Sequence, residues 1–450
     1  MRIALISSEV HPFSKSGGLA DVASSLPIAL AQMGHEVVVV SPWYKNLKNV
    51  TPYYLWELEA PRLSTHMGVA DTIAHGVRWV FVGGSLFDRD NYYGYSDDAY
   101  RFIQFCLAVP HLLHGLHFFP DVYHLNDWQT GLLAPLLRYG DVPDAQRRAK
   151  SVLTIHNLAF HGRWGLRDVL TWSGLPDWVG QMDGLEYNGD ANLLKAGIVY
   201  SDVVSTVSPR YAWEITTTEG GFGLDGVLRS RGVHGILNGI DTDYWNPATD
   251  NYLETHYTDS SGKEAARKAL CKELDLDPNR PTLAMVSRLS EQKGLSVIFG
   301  ALEELVQDWN IVILGSGDAE AEQGLRWFMQ TKTNVHFSNG FNEALAHRIY
   351  AGSDAFLMPS LFEPCGLSQM IAMRYGTLPI ARAVGGLLDT VPESKGYPFW
   401  EYSSWALAAT ARYARSQWRT PEWEQKMQNA MQTDFSWATA AQQYTRLYGW

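Results

Sequence analysis

Three short stretches of this chain combine cations, carboxylates and glycines closely enough to handle an anionic, hydroxyl-rich ligand. The first is Glu9-Val-His11-Pro12-Phe-Ser-Lys15-Ser-Gly17-Gly18-Leu-Ala-Asp21-Val22, between the apolar run Ile3 to Ile6 and a helix-like segment reaching Gly34. A glycine pair at that junction lets backbone approach a ligand at a helix N-terminus. Lys15 adds a fixed cation, and Glu9 and Asp21 add carboxylates that suit sugar hydroxyls. The second stretch, Ser287-Arg288-Leu-Ser-Glu-Gln-Lys293-Gly294, follows a strand pattern and opens a helix pattern. Arg288 and Lys293 there would set two cations at a positive helix end, a seat for a diphosphate; taken alone it is equally a solvated loop with two surface charges. The third is Ser360-Leu-Phe-Glu363-Pro364-Cys365-Gly366-Leu367-Ser368. Glu363 could accept hydrogen bonds from sugar hydroxyls, and Gly366 and Leu367 offer backbone N–H groups to a phosphate. Taken alone, Glu363 is also what a helix dipole favours at a helix start, and Cys365 is a small buried residue.

The elements that must position these residues alternate from end to end. Runs at Glu36 to Ser41, Val77 to Val82, Asp121 to Leu125, Ser151 to Ile155 and Asp202 to Val207 read as buried parallel strands in the first part. Thr282 to Val286, Asn310 to Leu314, Asn334 to Phe337, Asp354 to Met358 and Leu378 to Ala381 do so in the second, each separated by one helix length. The fold class expected is α/β, two Rossmann-like doubly wound parallel sheets in tandem. Arg288, Lys293, Glu363 and the loop Gly385-Gly386-Leu-Leu-Asp389-Thr390 then all crowd one carboxyl edge, where open α/β sheets bind ligands. At 450 residues the chain is too long for one core. The expected division is 1–240, 241–434 and a final segment, 435–450, whose amphipathic helix is capped by Ser436 and returns to the first domain.

Composition narrows the partners. A formal charge of −12 gives no basis for general nucleic-acid binding or for docking on an anionic membrane. The three cysteines, Cys106, Cys271 and Cys365, are odd in number and far apart, so no disulfide framework is expected and a reducing cytoplasm is the simplest home. Glu9 comes too early for a signal peptide, and no uncharged run approaches the roughly 18 residues of a membrane span. Asp-x-Asp occurs at Asp88, Asp241 and Asp275, three unrelated copies of a cheap pattern, and His111, His114 and His117 drift around a helix, so no metal site is expected. Gly315-Ser-Gly317 lacks the third glycine of the dinucleotide fingerprint.

Lys15-Ser-Gly-Gly-Leu-Ala-Asp21-Val closely resembles the K-x-G-G-L-x-D-V signature of bacterial glycogen synthases and plant starch synthases. Further matches run in family order: His124-Leu-Asn-Asp127-Trp128, Thr154-Ile-His156-Asn157, Gly184-Leu-Glu-Tyr-Asn188, Leu193-Leu-Lys195, Thr206-Val-Ser-Pro, Asn238-Gly-Ile-Asp241, Ser287-Arg288-Leu with Gln292-Lys293-Gly, and Phe362-Glu363-Pro-Cys-Gly-Leu. The resemblance implies a GT-B fold, with its two domains facing across a cleft. It also implies a retaining transfer of glucose from ADP-glucose to the non-reducing 4-hydroxyl of an α-1,4-glucan, such as glycogen or a maltooligosaccharide. By that similarity Lys15, Gly18, Arg288 and Lys293 contact the donor diphosphate. Glu363 and the backbone at Cys365, Gly366 and Leu367, with Ser368 beside them, hold the donor glucose. Asp21, Asp127, His156 and Asn238 surround the reacting sugar, Phe341 stacks on adenine, and Glu9, Tyr95 and Asn157 face the acceptor. No metal or pyridoxal phosphate is implied. Many other retaining GT-B enzymes carry a second glutamate eight positions after the first; here that residue is Ile371, as is common in the ADP-glucose type. Two rivals remain at this stage, an α-glucan phosphorylase-like enzyme and a catalytically idle glucan-binding or regulatory protein of the same fold.

Overall fold

The computed structural model describes residues 1–45, 47 and 53–449. The chain divides into two compact units, Met1–Gly239 with Trp437–Trp450, and Ile240–Ser436.

In the first unit the strands are β1 (Arg2–Ile6), β2 (Glu36–Pro42), β3 (Tyr53–Leu58), β4 (Met67–Ala74), β5 (Val77–Gly83), β6 (Val122–Asn126), β7 (Lys150–Ile155), β8 (Arg163–Gly165), β9 (Glu186–Tyr187), β10 (Asp190–Asn192), β11 (Val203–Thr206) and β12 (His234–Gly235). Nine of them form one sheet in the order β12-β11-β7-β6-β1-β2-β5-β4-β3, and β8, β10 and β9 form a small separate one. Pairing is parallel from β12 to β5 and antiparallel at the β5-β4-β3 edge. Side chains alternate faces along a strand, so one apolar run feeds two cores. Ile3, Leu5, Val37 and Val39 pack with Val22, Leu26 and Leu30 of the helix Gly18–Gln32, while Ala4, Ile6, Val38 and Val40 pack with Phe102, Phe105 and Leu112 of the helix Asp98–Gly115.

The last helix, Trp437–Tyr448, joins the first of those cores through Trp437, Ala441, Tyr444 and Tyr448. Its Thr445 hydroxyl bonds the His35 ring (3.1 Å), and the Tyr448 hydroxyl reaches His124 Nδ1 at 2.7 Å. His124 continues inward to Thr154 Oγ1 (2.7 Å), which meets Ser205 Oγ (2.8 Å). A buried hydrogen-bonded chain therefore ties the C-terminal helix to β6, β7 and β11.

The second unit holds β13 (Thr282–Val286), β14 (Asn310–Gly315), β15 (Val335–Asn339), β16 (Ala355–Met358), β17 (Leu378–Arg382) and β18 (Tyr397–Phe399). They form an all-parallel sheet ordered β15-β14-β13-β16-β17-β18. Chain direction across the sheet reverses between β13 and β16, and in the first unit between β1 and β6. Loops leaving such neighbouring strands diverge to opposite faces and leave a crevice at the carboxyl edge. The loops after β1, β6, β13 and β16 are the ones that carry Lys15, Asp127, Lys293 and Glu363.

Candidate active site

In the second unit, Lys293 and Glu363 meet. Lys293 Nζ lies 2.6 Å from Glu363 Oε2, and the Ser360 hydroxyl donates to the same oxygen at 2.9 Å. Glu363 is only 5% exposed, so these donors take the place of the water its carboxyl oxygens have lost. The two loops can approach because of glycines at left-handed backbone positions. Gly294 has φ +83°, and a Cβ there would lie 2.2 Å from the Pro359 carbonyl oxygen. Gly366 has φ +74°, and its Cβ would meet Gln369 Oε1 at 2.4 Å. The Gln369 amide in turn donates to the carbonyls of Cys365 (3.0 Å) and Gly366 (2.9 Å), which fixes the turn ahead of the helix Ser368–Arg374. The Gly386 amide donates to the Glu363 carbonyl at 3.0 Å, bringing the loop after β17 to the same place.

Arg288 is exposed, and its guanidinium makes no ion pair or hydrogen bond among the described residues. Cys365 is buried, and Leu367 and Ser368 begin the helix with no side-chain cap. Phe341, in the turn before the helix Glu343–Gly352, is 82% exposed, an apolar ring held out in water. Ile371 is buried, so no second carboxylate stands on that helix turn.

In the first unit, Lys15 Nζ pairs with Asp21 Oδ1 at 2.6 Å across the start of the helix Gly18–Gln32. Gly17 and Gly18 open that helix without a side-chain cap. Glu9 is folded back on this loop: it accepts from the Ser16 amide (2.5 Å), the Ser16 hydroxyl (3.2 Å) and the Gly17 amide (3.3 Å). Burial raises its carboxyl pKa, against the opposing effect of those bonds.

Asp127 occupies a left-handed backbone position (φ +57°), which Asp tolerates better than most residues. From there Oδ1 accepts the amides of His156 (2.7 Å) and Asn157 (3.3 Å). Burial outweighs these bonds and pushes the carboxyl up to about 7. The neighbouring His156 ring is pushed down to about 3 by burial and is neutral. Its Nε2 lies 2.8 Å from Asn126 Oδ1, and since Asn126 Nδ2 already donates to the Ile6 carbonyl (2.9 Å), the proton sits on His156 Nε2. Asn157 Oδ1 accepts the Ala159 amide in a local turn (3.0 Å). Asn238 is buried with its Oδ1 unpartnered among the described residues, an acceptor open to a ligand hydroxyl.

Tyr95 lies under two guanidiniums, Arg89 at 4.8 Å and Arg101 at 5.3 Å from the ring centre. A hollow of about 280 Å³ opens next to it, lined by Ser96, Asp97, Tyr100, Trp164 and Trp172.

Several participants escape a reading by motif. Ser360 holds Glu363 and Asn126 sets the His156 tautomer; each is a common polar residue one to three positions from a conspicuous one, and that adjacency is the only signal the sequence carries. The discounted patterns have structural work instead. Asp241 Oδ1 accepts the amides of Asp243 and Tyr244, both at 3.0 Å, and His111 Nε2 bonds the Asp141 carbonyl at 3.0 Å. Pro110 lies inside the helix Asp98–Gly115 together with His111 and His114. No group of three His, Cys, Asp or Glu residues among the described residues is placed to hold a metal ion.

The model of the starch synthase catalytic domain matches residues 2–230, and that of the group 1 glycosyl transferases matches residues 266–432. A glycogen synthase of Deinococcus radiodurans is 46% identical over 455 residues, covering 100% of this chain and 99% of its own. One from Lactococcus lactis is 42% identical over 484 residues, covering 100% and 99%. The catalytic domain of starch synthase IV from Arabidopsis thaliana, solved bound to ADP and acarbose, superposes with a TM-score of 0.93 at 34% identity, covering 99% of this chain and 98% of its own. A sucrose-phosphate synthase from Thermosynechococcus elongatus shares the fold at 20% identity, with a TM-score of 0.65 and coverage of 100% and 98%. With both halves matched in order and relatives aligned along its whole length, this chain belongs to the glycogen and starch synthase family of GT-B glucosyltransferases.

Proposed function

We propose that this enzyme uses ADP-glucose to extend the non-reducing end of an α-1,4-glucan, joining the new glucose to the 4-hydroxyl with retention at the anomeric carbon. The observation that carries the donor side is the Lys293–Glu363 pair at the switch point of the second sheet, a cation for phosphate and a buried acceptor for sugar hydroxyls 2.6 Å apart. The ADP in the Arabidopsis starch synthase IV structure supports adenine as the base, with the exposed Phe341 ring as its platform. The acarbose of that structure, together with Tyr95 and the aromatic hollow beside it, supports an α-glucan acceptor in the first unit.

In this reading Lys15, Arg288 and Lys293 take up the charge of the leaving diphosphate, the kind of electrostatic stabilisation that usually dominates such a step. The glucosyl C1–O bond to the diphosphate breaks, the acceptor O4 bonds to C1 from the same face, and the acceptor proton passes to the departing phosphate oxygen. The Asp127 carboxyl, in its ionised form, and the His156 carbonyl oxygen stabilise the cationic sugar between those events. Glycosidases that retain configuration use two carboxyls about 5 to 5.5 Å apart; with a buried Ile371 eight positions after Glu363, this scheme calls for no such pair. It calls for no metal or pyridoxal phosphate either, because three side chains supply the positive charge. We also propose a cytoplasmic setting: Cys106, Cys271 and Cys365 are buried with no disulfide between them, and no described helix is long and apolar enough to cross a membrane.

The test is incorporation of labelled glucose into glycogen from ADP-glucose and UDP-glucose in parallel, with and without EDTA. Preference for ADP-glucose that survives EDTA is expected. Binding of maltooligosaccharide without transfer from either donor would favour an idle glucan-binding protein, and loss of transfer in EDTA would contradict the metal-free scheme.

A further inference from the structure

Beside the Lys293–Glu363 pair, side chains from two other segments stitch the donor loops together. Arg382, the last residue of β17, donates from Nη1 to the carbonyls of Leu361 (2.6 Å) and Ser360 (3.2 Å), and from Nε to that of Trp400 (3.3 Å). Its guanidinium carbon lies 5.1 Å from the centre of the Tyr402 ring. The Tyr402 hydroxyl donates to Glu291 Oε1 at 2.6 Å, and Glu291 also takes the Ser296 hydroxyl (2.5 Å) and amide (3.2 Å) at the start of the helix Leu295–Asp308. The Leu361 amide donates to the Gln292 carbonyl at 2.9 Å. Arg382, Leu361, Gln292, Glu291 and Tyr402 thus form a closed circuit. It passes through the residues just before Lys293 and two positions before Glu363.

The circuit has a use the direct ion pair cannot serve. Once a sugar nucleotide is bound, its phosphate competes for Lys293 and its hydroxyls for Glu363, so the 2.6 Å contact that links the loops is weakened when spacing matters most. Neither loop is part of the sheet ladder there. What persists is the Leu361–Gln292 backbone bond, braced on one side by the Arg382 fork and on the other by the Tyr402 bridge.

We propose that Arg382 and Tyr402 are positioning residues of the donor site, which hold Lys293 and Glu363 at the separation that spans a diphosphate and its attached sugar. The proposal rests on the donor roles given to Lys293 and Glu363 above. It separates two ligands that share a diphosphate: ADP engages only the Lys293 side, whereas ADP-glucose must reach both. Loosening the circuit therefore weakens ADP-glucose selectively.

The experiment is calorimetric titration of the full chain, without glucan, with ADP and with ADP-glucose. Tyr402→Phe keeps the ring over the guanidinium and removes only the hydroxyl; Arg382→Lys keeps the charge and loses the fork. For the loss of one hydrogen bond, Tyr402→Phe is expected to weaken ADP-glucose about three- to tenfold and ADP less than about twofold. Arg382→Lys is expected to do the same more strongly. In a Glu363→Gln background, where the second anchor is already impaired, Tyr402→Phe is expected to add little. Equal weakening of both ligands, no weakening of either, or an undiminished effect in the Glu363→Gln background would overturn the positioning role. Failure of the unsubstituted protein to bind ADP-glucose would instead overturn the donor reading, and the proposal with it.

Discussion

Breaking the Lys293–Glu363 pair from either side has opposite consequences for ADP, and the structure gives the sign and the scale. Lys293→Ala removes a cation whose side chain is 19% exposed from a glutamate side chain that is 6% exposed, leaving Glu363 with the Ser360 hydroxyl. Uncompensated buried carboxylates cost about 3 to 5 kcal/mol. Residual water access to Lys293 places this one toward about 2 to 3 kcal/mol, or a fall in Tm of about 5–10 °C for a unit of this size. The same substitution deletes a charge-assisted contact to the diphosphate, about 1.5 to 3 kcal/mol, so Kd for ADP should rise about 10- to 150-fold. Glu363→Gln does the reverse. It releases Lys293 from its carboxylate partner, so ADP should bind as tightly as before or more tightly, while glucose transfer falls by at least about a hundredfold. The double variant, with no orphaned charge, should regain most of the lost stability and none of the ADP affinity. Calorimetric titration with ADP, thermal unfolding and labelled-glucose transfer, run on the four proteins, measure all of this. Equal ADP affinity in Lys293→Ala, or a loss in Glu363→Gln matching that in Lys293→Ala, would refute the division of labour between phosphate and sugar.

Other consequences follow from single residues. The Asp127 carboxyl is raised to about 7 from a usual value near 4, so the folded chain holds that proton more tightly than the unfolded chain. Its contribution to stability is fully present below pH about 4, is lost as pH rises toward about 7, and is constant above. Asp127→Asn should flatten the stability profile over that window in denaturant titrations, and an unchanged profile would remove Asp127 as its source. Gly366→Ala places a Cβ at φ +74° against Gln369 and should cost about 1 to 3 kcal/mol with a loss of turnover; a fully active, equally stable variant would show that the turn is not constrained as described. Tyr448→Phe strips the hydroxyl from buried His124 and should lower stability by about 1 to 2 kcal/mol in thermal unfolding, with ADP affinity untouched.

The site was most legible where it obeys periodicity and topology. Short β-branched runs such as Val37 to Val40 read as buried strands, and once they alternate with helices, the loops after β13 and β16 must share a crevice. That is why Lys293 and Glu363 could be placed together from sequence. The antiparallel β3-β4 edge was missed because Met67–Ala74 carries no unbroken apolar run, and the β8-β10-β9 sheet because its strands are two or three residues long. What no motif reveals is which way a side chain turns. Glu9 resembles an acceptor-facing carboxylate, yet here it bonds the Ser16 and Gly17 amides, and the left-handed backbone of Asp127, at φ +57°, is one that Asp tolerates but that its motif does not announce. Asn126 and Arg382 act through contacts between segments distant in sequence, which spacing along one loop cannot show, and Ser360 acts on Glu363 three positions away through a side-chain orientation that no motif records.

The most direct test of the account is the structure of the first product. The purified enzyme is incubated with ADP-glucose labelled with ¹³C at C1 and a maltooligosaccharide of defined length, and the labelled anomeric signal is followed by NMR from the earliest turnover. An α-configured, 1,4-linked glucose at the non-reducing end, formed without added metal, is the expected result. A β-linkage, attachment at another hydroxyl, or release of free labelled glucose in place of chain growth would contradict it.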